Sequence, residues 1–202
     1  MKTADNATSD HKLIADFKAG SMDAMDRIVE RYENRLFSFG RRMCGNNEDA
    51  EDIVQDTFLS AFRYLNDFRG EAKLINWLFK IAARACMRKR RKKKCEPDEH
   101  ISLDSFYPDE DSAGTYEIPD WSSDPSDNVL RSELRQIIDT AIQSLPPKYR
   151  LIFNLRDIQG FSTEETSEIL EISVASVKTG LHRARLFMRE KISSLYKEAR
   201  IS

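Results

Sequence analysis

A tryptophan and four basic residues recur at helical spacing in one stretch of the chain. They are Trp77, Lys80, Arg84, Arg88 and Arg91. Spacings of three and four place them on one face of a helix. Aromatic rings stack on bases and cations neutralise phosphates, so this face has the chemistry to bind nucleic acid. A core helix with a solvated, charged back would show the same pattern. Evidence from other parts of the sequence is needed to distinguish these two interpretations.

The helix that must position this face runs from Lys73 to Lys94. Another face of this helix carries apolar residues at spacings of three and four, which predicts a buried stripe. The members of that stripe are Leu74, Leu78, Ile81 and Ala85. The distal run, Lys89 to Lys94, is purely basic and predicts attraction to phosphates without sequence preference.

Three further helices are predicted before this one. Leu13, Ile14 and Phe17 mark a short first helix that Gly20 can end. The second starts after Ser21 and ends near Gly45. The third starts at Asn47, and acidic residues fill its first turn, where the helix dipole favours them. Its predicted buried side consists of Ile53, Val54, Thr57, Phe58, Ala61 and Phe62.

The net charge is only -2, but the charged residues are segregated along the chain. Residues 1–95 contain 20 basic and 14 acidic side chains, residues 96–128 contain 0 and 11, and residues 129–202 contain 12 and 9. Residues 96–128 also lack helical periodicity and contain four of the six prolines, which predicts a flexible linker. It is either a plain spacer or an acidic segment that occupies a positive channel or screens the basic blocks.

The last block predicts a helix-turn-helix. One helix ends at Leu145-Pro146-Pro147 and a second ends near Gly160. Ser162 and Glu165 have the spacing of a capping box at the start of a short supporting helix. A recognition helix begins three residues after Leu170, with Ser173 as its cap. Its predicted outward side chains are Lys178, Thr179, His182, Arg183 and Arg185.

Composition argues against several other classes of protein. The longest apolar runs are too short to span a membrane and the N-terminus does not resemble a signal peptide, so a cytoplasmic location is expected. Cys44, Cys86 and Cys95 are read as reduced thiols, with Cys95 potentially reactive beside its basic run. The three histidines have no ligand spacing, and no catalytic motif is present. We therefore expect no metal, cofactor, small-molecule substrate or enzyme activity.

Four motifs, in the order in which they occur along the chain, resemble the motifs of one protein family. They are the acidic stretch leading to QDTF, the FRG before WLFKIA, the turn LPPKYR, and SVKTGLHRAR. Together they resemble the extracytoplasmic-function (ECF) sigma factors of the bacterial sigma-seventy superfamily. The resemblance implies an all-α fold: residues 1–95 as sigma domain 2, residues 96–128 as a flexible acidic linker, and residues 129–202 as sigma domain 4. The last would be a four-helix, winged-helix-like helix-turn-helix domain.

The resemblance also implies partners and roles. Core RNA polymerase would bind Asp49, Asp52, Gln55, Asp56 and Phe58. The minus-ten promoter element would be recognised and melted by Asn66, Phe68, Arg69, Lys73, Trp77, Lys80, Arg84 and Arg88. The minus-thirty-five element would be read by Ser173, Ser176, Lys178, Thr179, His182, Arg183 and Arg185. Relatives are commonly held by an anti-sigma factor, often membrane-anchored, which implies such a partner here.

Four positions depart from the family pattern. Many relatives carry an aromatic residue at Leu74, an asparagine at Arg84, a glycine at the turn position of Glu171, and an arginine at Gly180. Gly180 is expected to cost about 1 kcal/mol against alanine in a helix and to remove a DNA-contacting cation. The turn position of Glu171 is a left-handed site that usually penalises side chains by about 1–2 kcal/mol, so either the turn differs slightly here or packing compensates.

Two other functions fit parts of the sequence. A dimeric helix-turn-helix regulator would bind duplex operators and use the first block for dimerisation or sensing. A pure protein-interaction module would keep its charged faces in water. A sigma factor is the leading hypothesis, since it accounts for both basic blocks and for the linker.

Overall fold

The computed structural model describes residues 2–70, 72–93 and 127–199, and the order of its elements confirms the predicted all-α fold. The first unit contains α1 (Lys2–Lys18), α2 (Met22–Cys44), α3 (Asn47–Tyr64), a 3₁₀ turn (Leu65–Asp67) and α4 (Leu74–Lys93). The second contains α5 (Asp127–Ser144), α6 (Pro147–Phe153), a π turn (Asn154–Ile158), α7 (Thr163–Leu170) and α8 (Val174–Ala199). Nearly all of the predicted linker, and Cys95, lie outside the described residues.

The first unit forms around α2. One face of this helix is buried along its whole length, because its apolar residues follow each other at spacings of three and four. They are Met25, Ile28, Tyr32, Leu36, Phe39 and Met43. Gly45, with φ of 86°, ends the helix in the left-handed conformation. Asn46 then caps α3, accepting a hydrogen bond from the Asp49 N–H.

Two details of the predicted core are wrong. Phe62 is 41% exposed and meets Phe17 edge-on at 5.6 Å between ring centroids, at the surface of the unit. On α4, Ile81 is only partly buried, whereas Phe79, Ala82 and Ala83 are buried. The buried arc of α4 is wider than a single stripe because α2 and α3 cover one side of it and α7 covers another.

Local signals place the second unit as predicted. Gly160 adopts φ of 76° after the π turn. Ser162 and Glu165 form the capping box in both directions, with the Glu165 N–H on Ser162 Oγ and the Ser162 N–H on Glu165 Oε2. The Ser176 N–H donates to Ser173 Oγ at 3.1 Å, which caps α8. Glu171 lies between α7 and α8 with φ of 57°, so the turn keeps the left-handed conformation despite the side chain.

The two units pack directly on each other, which the sequence pattern did not predict. Phe161 meets Phe79 edge-on at 4.8 Å between ring centroids. The Asn154 amide donates to the Phe39 carbonyl at 3.3 Å, and both groups are buried. Arg150 is 4% exposed and donates from Nη1 to the Met43 carbonyl at 3.0 Å. Because these contacts bury apolar and polar groups together, the described helices form one continuous body.

Within the described residues, two kinds of feature are absent. No group of histidine, cysteine and acidic side chains has an arrangement that would hold a metal ion. None of the described helices has the length and apolar character needed to cross a membrane.

Candidate nucleic-acid interface

The approach to α4 holds Trp77 on an aromatic support. Phe68 lies under the indole, with ring centroids 5.2 Å apart and planes tilted by 49°. The Lys18 ammonium donates to the Phe68 carbonyl at 2.6 Å and fixes the segment before α4. Phe68 is 9% exposed, so the prediction that it contacts DNA directly does not fit its burial. Its ring is positioned to orient Trp77, which is partly exposed, and Asn66 and Arg69 in the segment before α4 are exposed.

Three cations of the predicted minus-ten face have carboxylate partners on the second unit. The Lys73 ammonium lies 2.7 Å from Glu165 Oε1. Glu171 uses both oxygens, one at 2.9 Å from the Lys80 ammonium and the other at 2.5 Å from Arg84 Nη2. Hydrogen bonds from Lys80 and Arg84 lower the pKa of the Glu171 carboxyl to about 2. The cationic face of α4 therefore pairs with carboxylates at the two ends of α7, while the Lys73 and Arg84 side chains stay 65% and 60% exposed.

The predicted polymerase-binding residues divide into two sets. Asp52, Gln55 and Asp56 are exposed and line a groove of about 570 Å³ between α3 and α4. Asp49 and Phe58 are 8% and 9% exposed, so direct contact with a partner does not fit their burial. Phe58 belongs to the core, and Asp49 accepts a hydrogen bond from the Asn46 side-chain amide at 2.8 Å.

Lys89 connects the two helices that form this groove. Its ammonium lies 2.6 Å from Asp49 Oδ1 and 2.5 Å from Asp52 Oδ2. Desolvation lowers the pKa of Lys89, but the hydrogen bonds to the two aspartates outweigh it and hold the pKa above its ordinary value. The prediction that Lys89 belongs to a freely available basic run is wrong, because the side chain bridges α3 and α4.

The recognition helix α8 presents only part of its predicted face. The cap Ser173 and, in the N-terminal half of the helix, Ser176, Lys178, Thr179 and His182 are exposed. This is the end of a recognition helix that reaches base edges in the major groove.

Two arginines of α8 pair with other side chains of the second unit; Arg185 is exposed as predicted, whereas Arg183 does not point fully outward as predicted. Arg183 is partly buried and donates to the Tyr149 hydroxyl at 3.2 Å. Arg185 makes two hydrogen bonds with Asp157, at 2.8 and 2.7 Å. Both helical partners lie upstream of the helix-turn-helix, so their contacts depend on tertiary packing.

Gly180 faces inward, which corrects the expectation that it replaces a DNA-contacting cation. A Cβ atom added there would lie 2.5 Å from Ile152 Cδ1, and Ile152 is fully buried. The glycine thus permits close packing of α8 on α6. Its position in the sequence gave no indication of the face on which it lies.

Three residues make contacts between the two units that the sequence did not predict. Glu165 was assigned only to a capping box, Glu171 only to a strained turn, and Arg150 only to a motif. Glu171 and Arg84 were both visible as departures from the family pattern. Nothing in the linear sequence indicated that they contact each other.

Comparison with known proteins identifies both units. The family described as Sigma-70 region 2 matches residues 28–95, and Sigma-70, region 4 matches residues 135–188. The ECF RNA polymerase sigma factor SigW of Bacillus subtilis is 35% identical over 190 residues, which cover 91% of this chain and 97% of the relative. The ECF RNA polymerase sigma-E factor of Escherichia coli K12 is 30% identical over 191 residues, covering 93% and 96%.

Two solved structures share the fold. One is CnrH in complex with the cytosolic domain of CnrY, with a TM-score of 0.63, 24% identity and coverage of 94% of this chain and 97% of that chain. The other is the sigma factor RpoE in complex with the anti-sigma factor NepR from Bartonella quintana, with a TM-score of 0.61, 21% identity and coverage of 83% and 96%.

Proposed function

The chain belongs to the ECF RNA polymerase sigma factors, and on this premise we propose how its two helical units select and open a promoter. Sigma factors direct transcription initiation without catalysing it, and this chain is a member of that class. The observation that carries the proposal is the pair of region matches, one on each helical unit, in the order of the chain. The proposed division is domain 2 over residues 1–95, a linker over 96–128 and domain 4 over 129–202.

Core RNA polymerase binds the groove between α3 and α4 in this proposal. Asp52, Gln55 and Asp56 make the contacts, because they are exposed along one side of α3. Asp49 and Phe58 act indirectly: the first holds Lys89 and the second fills the core beneath the groove. The groove is also lined by exposed Leu59 and by the cations Arg63, Arg88 and Lys89, which suits a partner surface with both charged and apolar groups.

The minus-ten element is captured on α4 and the segment before it. Trp77 stacks on an unpaired base, supported from beneath by Phe68. The exposed Asn66 and Arg69 contact the same strand, while Lys73, Lys80, Arg84 and Arg88 neutralise its phosphates. Arg88 is exposed in the free chain, whereas the other three cations have carboxylate partners there.

The minus-thirty-five element is read by α8. The capped N-terminus at Ser173 and Ser176 approaches a phosphate, and Lys178, Thr179 and His182 face the major groove. Arg183 reaches the same groove from a position fixed by Tyr149. Arg185 contributes charge at the edge of this face while paired with Asp157.

An anti-sigma factor is a further proposed partner. Both relatives with the same fold were solved as complexes, one with the anti-sigma factor NepR and one with the cytosolic domain of CnrY. Those similarities lie below 25% identity, so they establish the shared fold, and the partner of this chain is inferred from the family.

The function is tested by mixing the purified chain with core polymerase and promoter DNA. We expect a stable one-to-one complex of the chain with polymerase. We also expect the chain to bind a duplex that carries both promoter elements only when polymerase is present. Matched DNA with a scrambled minus-ten element is the control. Tight operator binding by a dimer of the chain alone, with no polymerase complex, would contradict the proposal.

A further inference from the structure

Two cysteines from different helices of the first unit lie side by side. Cys44 is the last residue of α2, and Cys86 lies within α4. A hydrogen bond joins the two thiols, and both side chains pack in the same apolar cluster. Cys86 is 0% exposed, whereas Cys44 is partly exposed. The fold therefore brings together two thiols that are far apart in the sequence.

The position of Cys44 at a helix end suits the formation of a disulfide bond. Disulfide geometry is specific, and two thiols that already touch meet its main requirement. Gly45 follows Cys44 with φ of 86° and ends α2 in the left-handed conformation. Bond formation therefore has to shift only the last turn of α2, while Cys86 keeps its place in the core.

We propose that Cys44 and Cys86 form a reversible disulfide bond when a hydroperoxide reaches the chain, and that this bond weakens the binding of core polymerase. The formation of the bond is independent of the proposed function. Its effect on polymerase rests on that function, because the bond lies beside the groove between α3 and α4.

The two thiols take different parts in the reaction because their exposure differs. The Cys44 sulfur attacks one oxygen of the hydroperoxide, the O–O bond breaks, and Cys44 becomes a sulfenic acid. The Cys86 sulfur then attacks the Cys44 sulfur, the S–S bond forms and the S–O bond breaks. Each departing hydroxide takes up one thiol proton and leaves as water. With hydrogen peroxide, two thiols are thus oxidised to one disulfide and one peroxide is reduced to two waters.

The environment of Cys86 fixes this order. The hydrogen bond with Cys44 and the burial of the side chain hold the pKa of the Cys86 thiol well above its ordinary value. Because the thiolate is the reactive form, Cys86 does not compete with Cys44 for an oxidant in solvent. Once Cys44 is a sulfenic acid, however, the two sulfur atoms are in contact, and this proximity compensates for the low thiolate fraction of Cys86.

Both ends of the proposed bond are connected to the start of α3. In the loop after Cys44, the Asn46 amide donates to Asp49 Oδ2 at 2.8 Å. Three residues beyond Cys86, the Lys89 ammonium lies 2.6 Å from Asp49 Oδ1, and Lys89 lines the groove between α3 and α4. A covalent S–S bond is shorter than a hydrogen-bonded contact between two sulfur atoms, so it draws these segments together. The shift therefore displaces Lys89 and the start of α3 at the edge of the groove.

Disulfide formation is tested on the folded chain with Cys95→Ser, which removes one of the three cysteines. After treatment with hydrogen peroxide, we expect mass spectrometry without reductant to find a peptide pair that links Cys44 to Cys86. Its mass should be two hydrogen atoms lower than that of the separate peptides, and dithiothreitol should reverse the link. Two free thiols after the same treatment, or a sulfinic acid on Cys44 with no link, would overturn the proposal.

A dimedone probe, which reacts with sulfenic acids, tests the order of the two steps. In Cys86→Ala the sulfenic acid on Cys44 has no partner thiol, so the probe should label Cys44 in much higher yield than when Cys86 is present. In Cys44→Ala the buried Cys86 should stay unlabelled. Equal labelling of Cys44 with and without Cys86, or labelling of Cys86 in Cys44→Ala, would contradict the proposed order.

Polymerase titrations after removal of the peroxide test the effect of the bond. The oxidised Cys95→Ser chain should bind core polymerase about twofold to fivefold more weakly than the reduced chain, the effect expected from losing one partly exposed ion pair. Dithiothreitol should restore the affinity, and peroxide should leave the affinity of Cys44→Ala/Cys95→Ser unchanged. Equal affinities of the oxidised and reduced chains would overturn the effect on polymerase. Failure of the reduced chain to bind polymerase would instead overturn the proposed function, while the mapped disulfide would stand.

Discussion

The ring of Phe68 supports the indole of Trp77, with their centroids 5.2 Å apart. Phe68 is buried and Trp77 is partly exposed, so the pair presents one aromatic surface from a fixed base. A half-exposed tryptophan without such support would lose more conformational freedom on binding. The pair therefore ties the packing of the segment before α4 to the capture of a base.

Replacing Trp77 by alanine tests that surface. Base–aromatic stacking contributes about 1–3 kcal/mol, so Trp77→Ala should slow promoter opening roughly 5-fold to 150-fold. Trp77→Phe keeps a ring and should recover most of the opening. Permanganate footprinting of the minus-ten region measures opening, and competition binding measures polymerase affinity. Equal losses in opening and in polymerase binding would indicate a core role for Trp77.

The hydroxyl of Tyr149 offers a conservative test of Arg183. Tyr149→Phe removes the hydrogen bond to Arg183 and should weaken minus-thirty-five binding by about 0.5–1.5 kcal/mol. Arg183→Ala should cost about 1–3 kcal/mol, the range for a bidentate contact to a base. Titrations against a duplex with a scrambled minus-thirty-five element provide the control. Equal losses on both duplexes would show that Arg183 contacts phosphates or only stabilises the fold.

Substitutions of two aspartates on α3 should distinguish a residue that contacts polymerase from a residue that positions a neighbouring side chain. Asp56→Asn should weaken polymerase binding and leave the free energy of unfolding within about 0.5 kcal/mol, because Asp56 is exposed. Asp49→Asn removes one carboxylate from the Lys89 bridge and should lower the unfolding free energy by about 1 kcal/mol as well. Urea unfolding and polymerase titration measure the two quantities. A larger loss of unfolding free energy in Asp56→Asn than in Asp49→Asn would refute these two roles.

Gly180 and Ile152 should behave as a coupled pair. A Cβ at position 180 meets Ile152 Cδ1, the atom that Ile152→Val removes. Overpacking typically costs about 1–3 kcal/mol, which offsets the roughly 1 kcal/mol that alanine gains over glycine in a helix. The free energy of unfolding of the double variant Gly180→Ala/Ile152→Val should therefore exceed the value expected from adding the two single effects by about 1 kcal/mol. Additive unfolding free energies would show that α6 yields to the new methyl group.

Local chemistry made much of the fold predictable. The apolar spacing in α2, the left-handed glycines at 45 and 160, and the Ser162–Glu165 capping box each act within a few residues. Such signals need no knowledge of the rest of the molecule. They were sufficient to place the helices of both units and the helix-turn-helix.

Tertiary contacts decided what the sequence pattern left open or got wrong. Ile81 and Phe62 were assigned to the core from spacing alone, and the actual partners of their helices changed the buried arcs. Gly180 was expected on the DNA side because many relatives carry arginine there, whereas the packing places it against Ile152 of α6. The pairing of Arg84 with Glu171 joins residues 87 positions apart, and only the packed structure brings them together.

The most direct test of the central claim is transcription of genomic DNA from the host by core polymerase, with and without the chain, followed by mapping of RNA 5′ ends. We expect new start sites that share two upstream elements, one near minus ten and one near minus thirty-five. Those starts should disappear when Asp56→Asn lowers polymerase binding and persist with Glu168→Gln. Identical start sites with and without the chain would contradict the claim that it is a promoter-specificity subunit.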